Sequence, residues 1–122
     1  MRYFEKNVDG LPVFELEGKI MGGTECEDLC HRMLEVIAAG QSNLVVDFEK
    51  VQWMNSAGMG MMIQCVTKLR RDGGDLHFMG IHDKVGHYFR ITKLDTVLKI
   101  YDNINEVLQK LQLTNSSSKG LV

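Results

Sequence analysis

The sequence predicts an α/β fold: a mixed, mostly parallel sheet that opens with an antiparallel hairpin and carries about four helices. Three observations point there. Two short extended runs at the start are joined by Asp9-Gly10, the strongest short-range hairpin signal. Apolar runs of strand length then alternate with segments whose apolar residues recur at helical spacing. A chain of 122 residues, finally, is enough for one compact domain and too short for a second.

The hairpin strands are expected over Arg2 to Val8 and Leu11 to Glu17, with Pro12 near the start of the second, where a missing N–H is tolerated. Gly18 to Gly23 reads as a loop. Thr24 and Glu27 have the spacing of a capping box, and Leu29, Met33, Leu34, Ile37 and Ala38 then recur along one helix, which Gly40 ends. Leu44, Val45, Val46 and Phe48 form a central strand covered on both faces. After Val51 to Asn55, a second helix is expected from about Ser56 to Arg71, with Met59, Met62, Ile63, Val66 and Leu69 as its core stripe. Its other side offers Ala57, Gly60, Met61, Gln64, Cys65 and Lys68, only half of it polar.

Asp72-Gly73-Gly74 breaks that helix before a strand from Asp75 to Met79, in which His77 lies on one sheet face with no catalytic role. Asp83 to Ile91 makes a shorter helix with Val85, Tyr88, Phe89 and Leu94 inward; His82 and His87 belong to the surface. Val97 to Tyr101 is a last strand. Asn103 and Glu106 then cap a terminal helix through Leu113, striped by Ile104, Val107, Leu108 and Leu111. Residues 2–113 therefore form the domain, and Thr114 to Val122 a flexible tail.

Composition excludes several function classes. A net charge of −2 supplies no basic field for nucleic acid or an anionic membrane. No apolar run approaches a membrane span, and the first residues lack the apolar core of a signal peptide, so a cytoplasmic protein without membrane insertion is expected. Three cysteines, Cys26, Cys30 and Cys65, are an odd number and do not read as a disulfide framework; they read as small buried hydrophobes. Cys26 and Cys30 share a helix face, but His31 points about 100° away and nothing completes a tetrahedral metal set. No metal or cofactor is expected.

The stretch Val51 to Gly60 is the unusual one. Asn55 and Ser56 stand where a strand meets a helix, and residues of these types cap helices. Gly58 and Gly60 then fall in the first turns, each at a cost of roughly 1 kcal/mol relative to alanine. Bare backbone there implies a close approach by another element or partner, or an anion at the helix start. The loops after parallel strands gather at the carboxyl edge of the sheet, which brings Gly22 and Gly23 towards Asn55, Ser56 and Ala57. Met21, Met54, Met59 and Met61 rim this surface, and methionine suits a surface that adapts to a partner. Met59 is assigned to the core; Met54 and Met61 stand evenly between core and partner surface. The candidate partner-binding set is Met21, Gly22, Gly23, Met54, Gly60, Met61 and Gln64.

Catalysis is not indicated. Met54 occupies the first glycine position of a GxSxG elbow, Gly58-Met59-Gly60 lacks a dinucleotide loop's third glycine, and no Walker lysine is present. Phosphorylation fits better: phosphate on Ser56 adds a charge of about −1.5 to −2 at the positive end of the helix dipole, where the fold tolerates it.

Trp53-Met54-Asn55-Ser56-Ala57-Gly58-Met59-Gly60, followed by an apolar helix and the Gly73-Gly74 break, resembles the STAS domain of bacterial anti-sigma factor antagonists. The opening hairpin, the first helix and the stretch from Phe89 to Asp95 agree, so the resemblance covers about Arg2 to Leu113. It implies a single STAS-like domain, a binding function without enzymatic activity, and an anti-sigma factor with serine kinase activity as partner. That kinase would phosphorylate the antagonist at the serine matching Ser56 and inactivate it, and a PP2C-type phosphatase would restore it. The residue usual before that serine is Asp; here Asn55 is an amide that still caps the helix and carries no charge. Ala57 replaces a second serine, leaving Ser56 the motif's only hydroxyl. Monomer or weak dimer is expected. Two other readings stay open: a STAS scaffold or subunit of a signalling or transport assembly that is never phosphorylated, and a domain that binds a nucleotide or other small molecule.

Overall fold

A computed structural model describes the backbone of residues 1–120 and the side chains through Gln112. The elements are β1 (Arg2–Val8), β2 (Leu11–Ile20), α1 (Thr24–Ala38), β3 (Asn43–Met54), α2 (Ser56–Arg71), β4 (Asp75–Met79), α3 (Asp83–Ile91), a 3-10 turn (Leu94–Thr96), β5 (Lys99–Tyr101) and α4 (Ile104–Gly120). They form one five-stranded sheet in the order β1-β2-β3-β4-β5, antiparallel between β1 and β2 and parallel elsewhere. The expected architecture is therefore the observed one.

The hairpin turns through Asp9 and Gly10, both at positive φ (52° and 85°), the pairing that matches the twist of the flanking strands. From β2 onward each strand is added on the same side of its predecessor. The crossovers run in one direction across the sheet and, with the right-handed connection that parallel strands favour, α1, α2 and α3 share one face, where their apolar stripes close over Phe14, Leu16, Val46, Phe48, Leu76 and Phe78 as the main core. α4 follows the last strand and covers the other face at Leu11, Val13, Val45 and Met79 through Val107. Only the amino-terminal part of β3 is thus covered on both sides; beyond Phe48 its second face carries Glu49, Gln52 and Trp53, all exposed.

Several boundaries differ from expectation. β2 continues to Ile20 and β3 to Met54, because the two pair in parallel along almost their whole length, from Val13↔Val45 to Ile20↔Met54. β3 takes up two extra residues against β2, in register shifts at Glu15/Glu17 and Gly18/Lys19. Such bulges bend a strand and re-aim its side chains, and the local alternation at Lys50 to Trp53 is too irregular to announce a strand. The last strand is shorter than expected, since Leu94 to Thr96 close a 3-10 turn and Leu98 is spent packing into the core. α4 runs past Leu113 to Gly120. The expected tail from Thr114 overlaps that helix; its side chains, and residues 121–122 altogether, lie outside the described residues.

The capping box at Thr24 is not used. Gly23 is the N-cap of α1, at φ 79° and ψ −161°, and Thr24 is already helical, with no side-chain cap. The Gly23 carbonyl accepts the Glu27 N–H at 3.1 Å, while the Gly23 N–H donates to Met61 Sδ at 3.2 Å. A contact to α2 thus dictates a backbone angle that glycine adopts freely, and the local cap yields to it.

The cysteines also depart from expectation. Cys30 and Cys65 are joined in a disulfide that bridges α1 and α2, leaving Cys26 as a buried thiol. Cys26 and Cys65 are buried as expected; Cys65 is so although it lies on the side of α2 read as half polar, because that side packs on α1.

His77 is fully buried beneath α4's side of the sheet, its two ring nitrogens paired with Tyr101 Oη at 3.1 Å and Asn43 Oδ1 at 2.9 Å. Burial holds its pKa below the ordinary histidine value, the Asp75 carboxylate pulling the other way. Its role is to satisfy polar groups inside the sheet.

Candidate functional site

The site is the junction of β3 and α2 at the carboxyl edge, with the β2–α1 connection beside it. Asn55 leaves the strand at φ −103° and ψ 177° and caps α2, its Oδ1 accepting the Gly58 N–H at 2.7 Å. Its carbonyl takes the Met59 N–H at 3.0 Å, and its own N–H donates to the Ile20 carbonyl at 3.1 Å. Asn55 therefore ties three neighbours together: its own strand, the adjacent strand and the helix.

Ser56 is the first residue of α2 and is exposed, as is Ala57. By helix geometry neither of their N–H groups has an intrahelical acceptor. The first turn of α2 contains no acidic residue, whereas α1 has Glu25 and Glu27 there and α3 has Asp83. The positive end of the α2 dipole is thus uncompensated by side-chain charge where the Ser56 hydroxyl meets solvent.

Gly58 has a structural reason to be glycine. A Cβ at this position would lie 2.2 Å from the Ile20 carbonyl oxygen and 2.8 Å from its carbon. Bare backbone lets the start of α2 press against the end of β2. Gly22 plays a related part at φ 87°, where a Cβ would come within 3.3 Å of Met61 Sδ and 3.4 Å of Ala57. The two connections are thereby interlocked at the carboxyl edge of the sheet. Gly60 is different: nothing lies within 4 Å of its Cβ position.

The candidate partner-binding residues separate in space. Met21 is 47% exposed, Gly23 and Gln64 are exposed, and Gly22, Gly60 and Met61 are half-buried along the same edge. Met54 does not belong with them. At 4% exposure it packs in the main core beside Ile20 and Met59, because strand alternation turns it inward while Trp53 turns out. Trp53 belongs to the Trp53–Gly60 motif but not to the candidate partner-binding set. It is 41% exposed and pairs with Lys19 across the strands. Two bulges lie between it and the regular part of β3, so the sequence carries no regular alternation that would have placed it on the surface.

Among the described residues no three of His, Cys, Asp and Glu converge as a metal ion requires, and no helix is long and apolar enough to cross a membrane.

Comparison with known proteins bears on the family and the fold. The STAS domain matches residues 5–107. An anti-sigma-B factor antagonist of Staphylococcus aureus is 28% identical over 61 residues, which span 50% of this chain and 56% of that protein. The chain thus matches little more than half of that relative's length. Among solved structures, TM1081 of Thermotoga maritima superposes with a TM-score of 0.77 at 18% identity, covering 90% of this chain and 94% of that one. SpoIIAA, an anti-sigma factor antagonist, superposes in its unphosphorylated form with a TM-score of 0.66 at 16% identity, over 91% of this chain and 98% of its own. It has also been solved phosphorylated, at a TM-score of 0.65 over 90% of this chain and 99% of its own. At these identities the superpositions speak for the fold, and the family match spans most of the chain. The chain belongs to the STAS domain family.

Proposed function

We propose that this chain is an anti-sigma factor antagonist: it binds an anti-sigma factor with serine kinase activity, releases the sigma factor, and is switched off by phosphorylation of Ser56 until a PP2C-type phosphatase restores it. The observation that carries this reading is the exposed Ser56 hydroxyl at the first residue of a helix with no acid in its first turn. A phosphate there gains roughly 0.3 to 2 kcal/mol from the dipole, so modification leaves the fold intact. A partner surface seated over the same serine loses several kcal/mol if it presents an apolar or acidic patch, and each 1.4 kcal/mol is a factor of ten in affinity. Asn55 serves this scheme: its oxygen caps the helix, and its neutrality leaves the dipole for the phosphate. The chain acts by binding, with Met21, Trp53, Met61 and Gln64 around Ser56 as the contact surface. Because the kinase consumes ATP, the switch operates in the cytoplasm.

The test uses the purified partner kinase. Incubation with ATP should add one phosphate, mapped to Ser56, and Ser56→Ala should abolish it. Ser56→Asp should weaken binding at least tenfold against wild type, and Trp53→Ala should weaken it similarly while the urea midpoint stays within error. Equal affinity of Ser56→Ala and Ser56→Asp for the kinase would sink the proposal.

A further inference from the structure

Outside the Ser56 surface, one cluster of reactive side chains joins the two helices whose amino ends frame it. Cys30 and Cys65 lie 35 residues apart in sequence with Cα atoms 5.7 Å apart, a spacing that a disulfide closes without backbone movement. Cys26 sits one turn before Cys30 on the same face of α1. All three line a cavity of about 130 Å³ that also reaches Met61 and Gln64. Cys30 is half-buried at this opening, whereas Cys65 and Cys26 are buried, and burial pushes the Cys26 thiol up in pKa.

We propose that Cys30 and Cys65 form a redox-modification site, a thiol pair that a small-molecule disulfide oxidises and a small thiol reduces within the folded protein, clamping α1 to α2 beside the loops that carry Ser56. The fold does not depend on the bridge. Leu29 and Met33 of α1 and Met62, Val66 and Leu69 of α2 are buried in the main core, so hydrophobic packing holds the two helices together when the thiols are reduced. The opening gives a small reagent access to Cys30. Oxidation balances with glutathione disulfide as oxidant: the Cys30 thiolate attacks one of its sulfurs and expels a glutathione thiolate. The Cys65 thiolate then attacks Cys30 of the mixed disulfide and expels the second. Two protein thiols lose two protons and two electrons, and one glutathione disulfide becomes two glutathione thiols. Reduction is the reverse. The clamp reaches the loops through Met61, which lies one turn before Cys65 and accepts the Gly23 N–H at its own Sδ. A disulfide in a protein that works in the cytoplasm is most often a transient, redox-sensing one; this clause alone rests on the proposed function, and the geometry stands without it.

The experiment needs no partner, so its failure is distinct from failure at Ser56. The purified chain is equilibrated with reduced and oxidised glutathione at graded ratios, then denatured in acid and alkylated, and its free thiols are counted by intact mass. The expected result is a step from three alkylated thiols to one, with peptide mapping assigning the remaining one to Cys26 and circular dichroism unchanged. Cys30→Ser and Cys65→Ser should lose the step and Cys26→Ser should keep it. Amide exchange in the first turns of α1 and α2 should quicken several-fold on reduction. Three free thiols at every ratio, a bridge that yields to reduced glutathione only after unfolding, or a bridge that includes Cys26 would each overturn the site. Identical exchange in the two states would overturn the clamp.

Discussion

Gly58→Ala isolates the contact that seats α2 on β2. Alanine normally improves a helix over glycine by about 1 kcal/mol. Here the added methyl would meet the Ile20 carbonyl oxygen at 2.2 Å and its carbon at 2.8 Å. That carbonyl is backbone, and it also accepts the Asn55 N–H at 3.1 Å, so relief requires the strand and the helix start to part. Overpacking of this kind costs about 1 to 3 kcal/mol, and weakening the Asn55 bond adds about 0.5 to 1.5. After the propensity gain the net loss is about 2 kcal/mol. For a chain of this size that corresponds to a fall of roughly 8 °C in Tm and about 1 M in urea midpoint. Gly60→Ala is the matched control, two residues along the same helix with nothing within 4 Å of the new methyl. It should stabilise by about 0.5 to 1 kcal/mol. Urea denaturation of the two variants beside wild type should give shifts of opposite sign. A Gly58→Ala midpoint at or above wild type would refute the close approach and, with it, the reason given for glycine in this turn.

Two further outcomes follow from the same geometry. Asn55→Ala removes the oxygen that accepts the Gly58 N–H and should cost about 1 kcal/mol, whereas Asn55→Asp keeps an acceptor in place and should stay within about 0.5 kcal/mol of wild type in urea denaturation. For pH, burial lowers the His77 pKa in the folded state, so the unfolded chain binds its proton more readily. The stability linked to His77 is complete above the unfolded value of about 6.5 and is lost as pH falls below it towards the folded pKa. His82 is exposed and its pKa is raised by the Glu49 carbonyl and by Asp83, so its contribution runs the other way and fades as pH rises. The urea midpoint of His82→Ala should therefore drop between about pH 7 and about pH 5.5, and His77→Gln in that background should flatten the slope; an unchanged slope would exclude His77 as its source.

Much of the fold was legible because its signals are local. The Asp9-Gly10 turn, the helical stripes of α1, α2 and α4 and the Asn55 cap each depend on residues within about four positions of one another, and backbone geometry alone converts such spacing into structure. The neighbourhood of the site was legible too, since parallel strands deliver their following loops to one edge. What the tertiary structure decided are the matters that depend on which distant residue arrives. Gly58 is required by the Ile20 carbonyl, a partner set by the β2–β3 register after two bulges. Gly23 caps α1 because Met61 of α2 takes its N–H, which overrode a well-spaced Thr24 and Glu27. Met54 went to the core and Trp53 to the surface on the phase of that bulged strand. Cys30 and Cys65 meet only because α1 and α2 pack side by side. An odd count of cysteines carries no trace of that packing, since pairing is a property of the distance between helices and the sequence records only the distance along the chain.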